Sequence, residues 1–265
     1  MEFQFDQEWT LHPIEGDTGQ AFMGIHKQEK IFLKRNSSPF LAALSMEGIT
    51  PRLIWTKRTA NGDVFSAQEW LSGHILSHQE IQEGTVVKLL HRYQTSQNLY
   101  NMLVKIGGKV WDPEDFLVAF EQNIPERMTS LTFLNQVKDY LYDTLSFVQN
   151  NKRSVCHGDL NRRNFILSED HRLYLVDWES VRIADPMSDI TQLLVQYVPF
   201  EEWDYWFDLY HLQVSAETYY RIEWYSLMNL LILIRNDFEK DRMYPLNQKI
   251  LLLKHIFANR YFKGK

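Results

Sequence analysis

The feature that most constrains this 265-residue chain is a change of hydrophobic period near Gly73. Upstream of it, β-branched and aromatic residues alternate with polar ones between Gly and Asn punctuation, the period-two pattern of strands that cover one face. The expected strands are 10–14, 20–26, 31–35, 52–59 and 63–70, the last two joined by Asn61-Gly62 as a two-residue hairpin turn. Between the third and fourth, Ser37-Ser38-Pro39 starts one short helix, with Pro39 in its first turn and Gly48 at its end. Downstream, apolar residues recur three and four apart over 86–106, 115–122, 131–149, 189–197, 216–238 and 246–262, so helices dominate. Two short apolar strands, Phe165-Ile166-Leu167 and Leu173-Tyr174-Leu175-Val176, are the only interruption expected there. The fold class is therefore α+β: a small antiparallel sheet with one helix over 1–73, then a larger, mainly helical part over 74–265.

Charge and cysteine usage exclude several classes of function. With 28 Lys and Arg against 34 Asp and Glu the chain carries a formal charge of −6, and no block of five like charges occurs. Direct nucleic-acid binding is not expected, because affinity for a polyanion comes from Lys and Arg neutralising phosphates. The single cysteine, Cys156, has no partner for an intramolecular disulfide, and no Cys/His spacing resembles a zinc site. The segment Met1-Glu-Phe-Gln-Phe-Asp-Gln-Glu lacks the basic start and apolar stretch of a secretory signal. The longest apolar run, around Leu227 to Ile234, is interrupted by Asn229 and falls well short of the roughly 20 residues that span a bilayer. These features predict a cytoplasmic protein without membrane insertion.

The segment richest in chemistry runs His157-Gly158-Asp159-Leu160-Asn161-Arg162-Arg163-Asn164, followed by Leu175-Val176-Asp177-Trp178-Glu179. An Asp five residues before an Asn at the start of a strand hairpin, with a second Asp where the next strand ends, is the arrangement that phosphoryl transfer from a nucleotide requires. Asp159 would accept a hydrogen bond from the acceptor hydroxyl. Asn164 and Asp177 would offer hard oxygen ligands to Mg²⁺.

These two motifs resemble the catalytic loop and metal-binding motif of the aminoglycoside phosphotransferase and choline kinase family, relatives of protein kinases. The resemblance implies a two-lobed protein-kinase-like fold, with a nucleotide-binding lobe over 1–73 and a catalytic, acceptor-binding lobe over 74–265. It also implies ATP and Mg²⁺ as cofactors and a small-molecule hydroxyl as acceptor. Further matches are the loop Gly16-Asp17-Thr18-Gly19, the strand lysine Lys34, the hinge-like Gln68-Glu69-Trp70-Leu71-Ser72-Gly73, and Asp185-Pro186-Met187-Ser188-Asp189. By resemblance, Gly16, Asp17, Thr18, Gly19 and Gln20 cover the nucleotide phosphates and Lys34 contacts their oxygens. Main-chain groups of Glu69, Trp70 and Leu71 meet the adenine edge. His157 braces the catalytic loop, and Asp189 tethers it from the following helix. One departure stands out: the family pairs its strand lysine with an acid in the first helix, whereas 37–45 holds none and Glu47 sits at the far end.

The acceptor is the open question. Nine aromatics between Trp203 and Tyr225 would serve equally as a stacking or cation-binding wall and as helix core, and Glu201, Glu202, Asp204 and Asp208 as a lure for a cation or as solvated charges. Choline, ethanolamine or an aminoglycoside is one expectation. A nearer resemblance, to a bacterial cell-cycle regulator of the family, implies a small sugar such as ribose or 2-deoxyribose, recruitment to the division site, the division protein FtsZ as partner and a link to DNA replication. A kinase-shaped scaffold with little turnover is the third reading.

Overall fold

The computed structural model describes residues 9–14, 20–122, 124–149, 152–213 and 215–260. In chain order its elements are β1 (Thr10–Pro13), β2 (Ala21–His26), β3 (Glu29–Arg35), α1 (Phe40–Met46), β4 (Leu53–Arg58), β5 (Val64–Glu69) and β6 (Gly73–Ile75). Then come α2 (Gly84–Thr95), α3 (Gln97–Lys105), α4 (Pro113–Glu121), α5 (Glu126–Thr129), α6 (Thr132–Asp143), β7 (Ser154–Cys156), β8 (Phe165–Ser168), β9 (Leu173–Leu175) and β10 (Arg182–Ala184). The remainder is helical: α7 (Met187–Tyr197), α8 (Trp203–Leu209), α9 (Ala216–Glu239) and α10 (Met243–Ala258). The chain forms two compact units, one of Met1–Leu76 with Arg162–Glu179 and one of Ser77–Asn161 with Ser180–Lys265.

In the first unit, five antiparallel strands follow the order β1-β2-β3-β5-β4. Ile31, Leu33 and Ala67 are buried at its core, with Trp9, Leu11, Phe22 and Trp55 packed around them. Phe40 and Leu44, one turn apart on α1, are fully buried, and Phe40 meets Trp178 edge-on at 6.1 Å. The β4–β5 connection departs from the two-residue hairpin. Arg58 and Val64 are the last paired residues, and Thr59 N–H donates to the Asp63 carbonyl at 2.8 Å. The Asn61 side chain explains the wider loop: its amide donates to the Asp63 carboxylate at 2.8 Å, while Gly62 takes φ +91°. The segment 162–179 joins this unit as β8 and β9, forming a three-stranded sheet in the order β6-β8-β9. Gly73 permits that pairing, since a Cβ there would lie 2.3 Å from the Leu167 carbonyl oxygen.

The second unit is built around α9, which packs against α4, α6, α7 and α10 and buries Ile222, Leu227, Leu230, Leu231 and Ile234. The helix expected over 86–106 is two helices. Ser96 adopts an extended backbone and its Oγ accepts from Leu99 N–H at 3.1 Å, which caps α3 and ends α2. The expected interruption of the helices is also incomplete: β7 and β10 form an antiparallel pair, with Cys156 opposite Arg182 and Val155 opposite Ile183. Three-residue strands are too short for a period to show. Among the described residues, no helix is long and apolar enough to cross a membrane.

Candidate active site

In the second unit, β7 delivers the chain into the turn His157-Gly158-Asp159, which hangs on one buried carboxylate. Asp189, 1% exposed on the first turn of α7, accepts from His157 N–H at 2.6 Å, Gly158 N–H at 3.0 Å and Tyr93 O–H at 2.7 Å. Three donors on one buried carboxylate fix the turn by charge-assisted hydrogen bonds. Burial beside Asp189 pushes the Tyr93 phenol well up, so it remains a donor. His157 is fully buried, and its Nδ1 accepts from Asp159 N–H at 3.3 Å. Gly158 is required twice over: φ is +82°, and a Cβ would lie 2.4 Å from the Ser180 carbonyl oxygen. Leu160 N–H donates to Gln192 Oε1 at 2.9 Å. With its main chain held on both sides, Asp159 is itself exposed and meets the Asn161 amide at 3.3 Å.

A cavity of about 180 Å³ in the same unit reaches Gly158 of this turn. Trp111, Phe116 and Phe120 give it aromatic walls, and Arg182, Arg235, Gln192 and Asn229 give it polar ones. Arg182 lies over Trp111 at 4.2 Å and Phe116 at 5.1 Å, and donates to the Gly158 carbonyl at 2.5 Å. Burial weakens the hold of its guanidinium on the proton, and the Asp189 charge is the strongest influence opposing that.

In the first unit, Lys34 stands on β3 opposite Ala21 and Ser66. Its ammonium pairs with Glu179 Oε1 at 2.7 Å and Asp177 Oδ1 at 3.0 Å. Burial pulls its pKa down, but the hydrogen bonds to Glu179 and Asp177 and their charges outweigh that, so the net shift is upward. The expected gap in the first helix is thus filled from 177–179. Asp177 has φ +65°, rare for a side chain with a Cβ, which marks a conformation imposed by its surroundings. Val176 N–H donates to the Asn164 carbonyl at 2.9 Å, setting the buried Asn164 beside the residue preceding Asp177.

A family model described as "Phosphotransferase enzyme family" matches residues 34–225, which takes in both motifs. The chain belongs to the phosphotransferase enzyme family. Its fold is similar to that of the choline kinase LicA from Streptococcus pneumoniae, with TM-score 0.69, 19% identity and 95% of each chain covered. It is also similar to the GDP and kanamycin complex of APH(2")-IIia, with TM-score 0.60, 13% identity and coverage of 96% of this chain and 95% of that one. An ethanolamine kinase from Plasmodium vivax matches with TM-score 0.61 and 15% identity over 94% of this chain and 82% of that one. This phosphotransferase is thus a kinase-like enzyme that moves phosphate to a hydroxyl acceptor, on a fold with a small antiparallel sheet and a larger helical part.

The residues expected to serve the phosphotransferase reaction fall into two groups. Lys34, Asn164 and Asp177 belong to the first unit, and His157 and Asp159 to the second. Gly16, Asp17, Thr18 and Gly19 lie outside the described residues; Gln20 is described, and its carbonyl accepts from Arg35 N–H at 2.9 Å. Glu69 ends β5 and pairs with Arg52 at 3.5 Å, while Trp70 and Leu71 are half-buried between β5 and β6. Asn164 and Asp177 fit a magnesium ion, which takes one or two protein oxygens and completes its shell with phosphates and water. No group of three or more His, Cys, Asp or Glu that would cage a metal occurs among the described residues.

Several residues that pair with the candidate site residues or line the cavity are not legible in the sequence. Glu179 is visible in its motif, but nothing there says that it pairs with Lys34. Arg182, Arg235 and Asn229 carry no local signal, because the cavity draws them from β10 and α9. None of the nine aromatics of 203–225 lines it. Trp203, Trp206, Phe207, Trp224 and Tyr225 are buried in the core instead, with indole N–H groups of Trp203, Trp206 and Trp224 donating to main-chain carbonyls of Val198, Gln82 and Leu141. Glu201, Glu202, Asp204 and Asp208 are exposed on the surface.

Proposed function

We propose that this phosphotransferase moves the γ-phosphate of ATP to a hydroxyl of a small sugar, ribose or 2-deoxyribose. The observation that supports this reading best is an exposed Asp159 carboxylate on a turn whose main chain is locked by Asp189, Gln192 and His157. A carboxylate so placed accepts the acceptor hydroxyl's hydrogen bond and aims its oxygen, which is the protein's main task in a reaction dominated by positioning. Lys34 contributes positive charge toward phosphate oxygens, and Asn164 and Asp177 hold Mg²⁺. Mg²⁺ held there would supply positive charge to the phosphates. Glu69 to Leu71 meet the adenine edge, and Gly16 to Gln20 cover the phosphates.

The choice of a pentose, with a role in cell-cycle and division control, FtsZ as partner and recruitment to the division site, rests on resemblance to the bacterial cell-cycle regulator CcrZ. A second reading, choline or ethanolamine as acceptor, is favoured by the fold likeness to the choline kinase LicA and the Plasmodium vivax ethanolamine kinase. The deciding experiment is ATP turnover with Mg²⁺ across pentoses, amino alcohols and aminoglycosides, with Asp159→Ala as control. Turnover on a pentose that vanishes in the control supports the first reading. Turnover confined to amines supports the second, and none on any acceptor leaves a scaffold.

A further inference from the structure

Asp189 fixes the turn at 157–159 only as far as Gly158. Its oxygens take the N–H groups of His157 and Gly158, which belong to the peptide units 156–157 and 157–158. Gln192 holds the unit 159–160 through Leu160 N–H at 2.9 Å. Between them lies the peptide Gly158–Asp159, which leads into the Asp159 Cα, and a planar peptide moves its C=O and N–H as one body. Its N–H donates to His157 Nδ1 at 3.3 Å, a long bond. Its carbonyl accepts from Arg182 Nη2 at 2.5 Å, a short bond from a charged donor. The glycine makes that second contact decisive. Gly158 sits at φ +82° and has no Cβ, so turning this peptide over meets little steric resistance from residue 158.

Arg182 is itself firmly placed. The pairing of β10 with β7 sets it opposite Cys156, the last strand residue before the turn. Its guanidinium lies 4.2 Å from the Trp111 ring centroid and 5.1 Å from that of Phe116, and such faces favour one orientation of a planar cation. A Cβ on residue 158 would lie 2.5 Å from Nη2 and 2.6 Å from Nε, so only glycine admits the guanidinium this close. Burial lowers the Arg182 pKa, while the charges of Asp189 and, more weakly, Asp159 act in the opposite direction. A guanidinium stays charged under such conditions, so the carbonyl is held by a cation.

We propose that Arg182 is a positioning residue for phosphoryl transfer: by holding the Gly158 carbonyl it selects one orientation of the Gly158–Asp159 peptide, and with it the direction in which the Asp159 carboxylate faces. This role rests on the reading of Asp159 as the group that aims the acceptor hydroxyl, whereas the hold on the peptide does not.

The test compares the full chain with Arg182→Met, which removes donor and charge, and Arg182→Lys, which keeps both. With Mg-ATP and D-ribose, or choline if ribose is not turned over, Arg182→Met should lower kcat on the order of 10–100-fold, the worth of one charged hydrogen bond, with the KM for ATP within about twofold of the parent. Arg182→Lys should recover part of that loss. Residue-resolved amide exchange adds a readout that a general loss of stability would not move. In Arg182→Met, Asp159 N–H should exchange about tenfold faster relative to Gly158 N–H, which Asp189 still holds. A parental kcat in Arg182→Met, a Lys variant no better than the Met variant, or an unchanged exchange ratio overturns the assignment. If the parent turns over neither acceptor, the kinase reading falls and the exchange ratio alone decides whether Arg182 sets the peptide. If Arg182→Met fails to fold, Trp111→Leu takes its place, because Trp111 is only half-buried. Losing the face under the guanidinium should move kcat and the exchange ratio in the same directions by about threefold, and parental values of both overturn the proposal.

Discussion

Asp189 and Asp177 are carboxylates of the two groups of candidate site residues, one in each unit, and they are held in opposite ways. Asp189 is buried and satisfied by three neutral donors, the N–H groups of His157 and Gly158 and the Tyr93 phenol. Asp177 is half exposed, sits at φ +65°, and pairs with the Lys34 ammonium. A buried carboxylate with neutral partners has nothing to exchange and acts as a fixed anchor. An exposed one in a salt bridge loses little when its partner changes, because solvent screens the pair. In the proposed reaction the anchor therefore suits a part that stays fixed, and the salt bridge a part that exchanges partners.

The largest effect expected of this contrast falls on the residue that the anchor serves. Asp159→Ala should lower kcat by on the order of 10²–10⁴ with the nucleotide dissociation constant unchanged, since its exposed carboxylate supports neither the fold nor Lys34. Steady-state rates alongside nucleotide titration check this. A variant with weakened nucleotide binding and parental kcat would reverse the roles assigned to the two groups.

Next in size is the anchor itself. Asp189→Asn keeps one acceptor oxygen and turns an amide donor toward His157 N–H or Gly158 N–H. Leaving one buried donor unmade should destabilise the protein by about 1–3 kcal/mol, measured by denaturant unfolding. Its kcat should fall while nucleotide affinity holds. If stability is lost and kcat is untouched, Asp189 supports the fold without positioning Asp159.

The residues on both sides of this contrast are legible in the amino-acid sequence, their partners much less so, and the limit is physical. His157, Gly158, Asp159, Asn164 and Asp177 lie in two short motifs because local backbone geometry, a positive-φ glycine and a tight strand hairpin set their spacing. The long helices are legible for the same reason: a period repeats along them. Ser96 ends a helix that the period alone would have continued, since a cap acts through one hydrogen bond. The partners of Lys34 are some 143 residues away in sequence, and the cavity gathers Trp111, Arg182 and Arg235 from three stretches of chain. No local pattern records such meetings, and of the aromatic cluster at 203–225, the most conspicuous pattern available, Trp203, Trp206, Phe207, Trp224 and Tyr225 belong to the core while Tyr205 and Tyr219 face solvent.

The exchangeable side of the comparison is sharpened by Lys34→Met. Removing the charge should raise the nucleotide KM about tenfold and lower kcat, while stability at pH 7 changes by at most about 1 kcal/mol, because the pair is partly exposed. The pH dependence has a definite sign. The Lys34 pKa is raised in the folded protein, so its contribution is fully present below the ordinary lysine value of 10.5 and is lost only as pH climbs through the shifted one. Parent and variant should differ by a constant amount from pH 6 to 9 and converge only as pH climbs above 10.5. Convergence already near pH 8 would mean that burial outweighs the two carboxylates.

The smallest expected effect tests how far the anchor's rigidity depends on each donor. Tyr93→Phe removes one of three hydrogen bonds to Asp189 but no charge, and Asp189 Oδ2 retains His157 N–H at 2.6 Å. The loss should be about 1 kcal/mol, the net worth of one such bond, with kcat within about threefold of the parent. The residual polarity decides the outcome: the carboxylate keeps two donors from the very turn it positions, so its role there survives. Because burial beside Asp189 holds the Tyr93 phenol un-ionised well above pH 10, the difference between the two proteins should also be flat through that pH. A kcat loss as large as that of Asp189→Asn would show that the turn is positioned by the phenol acting through Asp189, and that the anchor is a pair rather than a single residue.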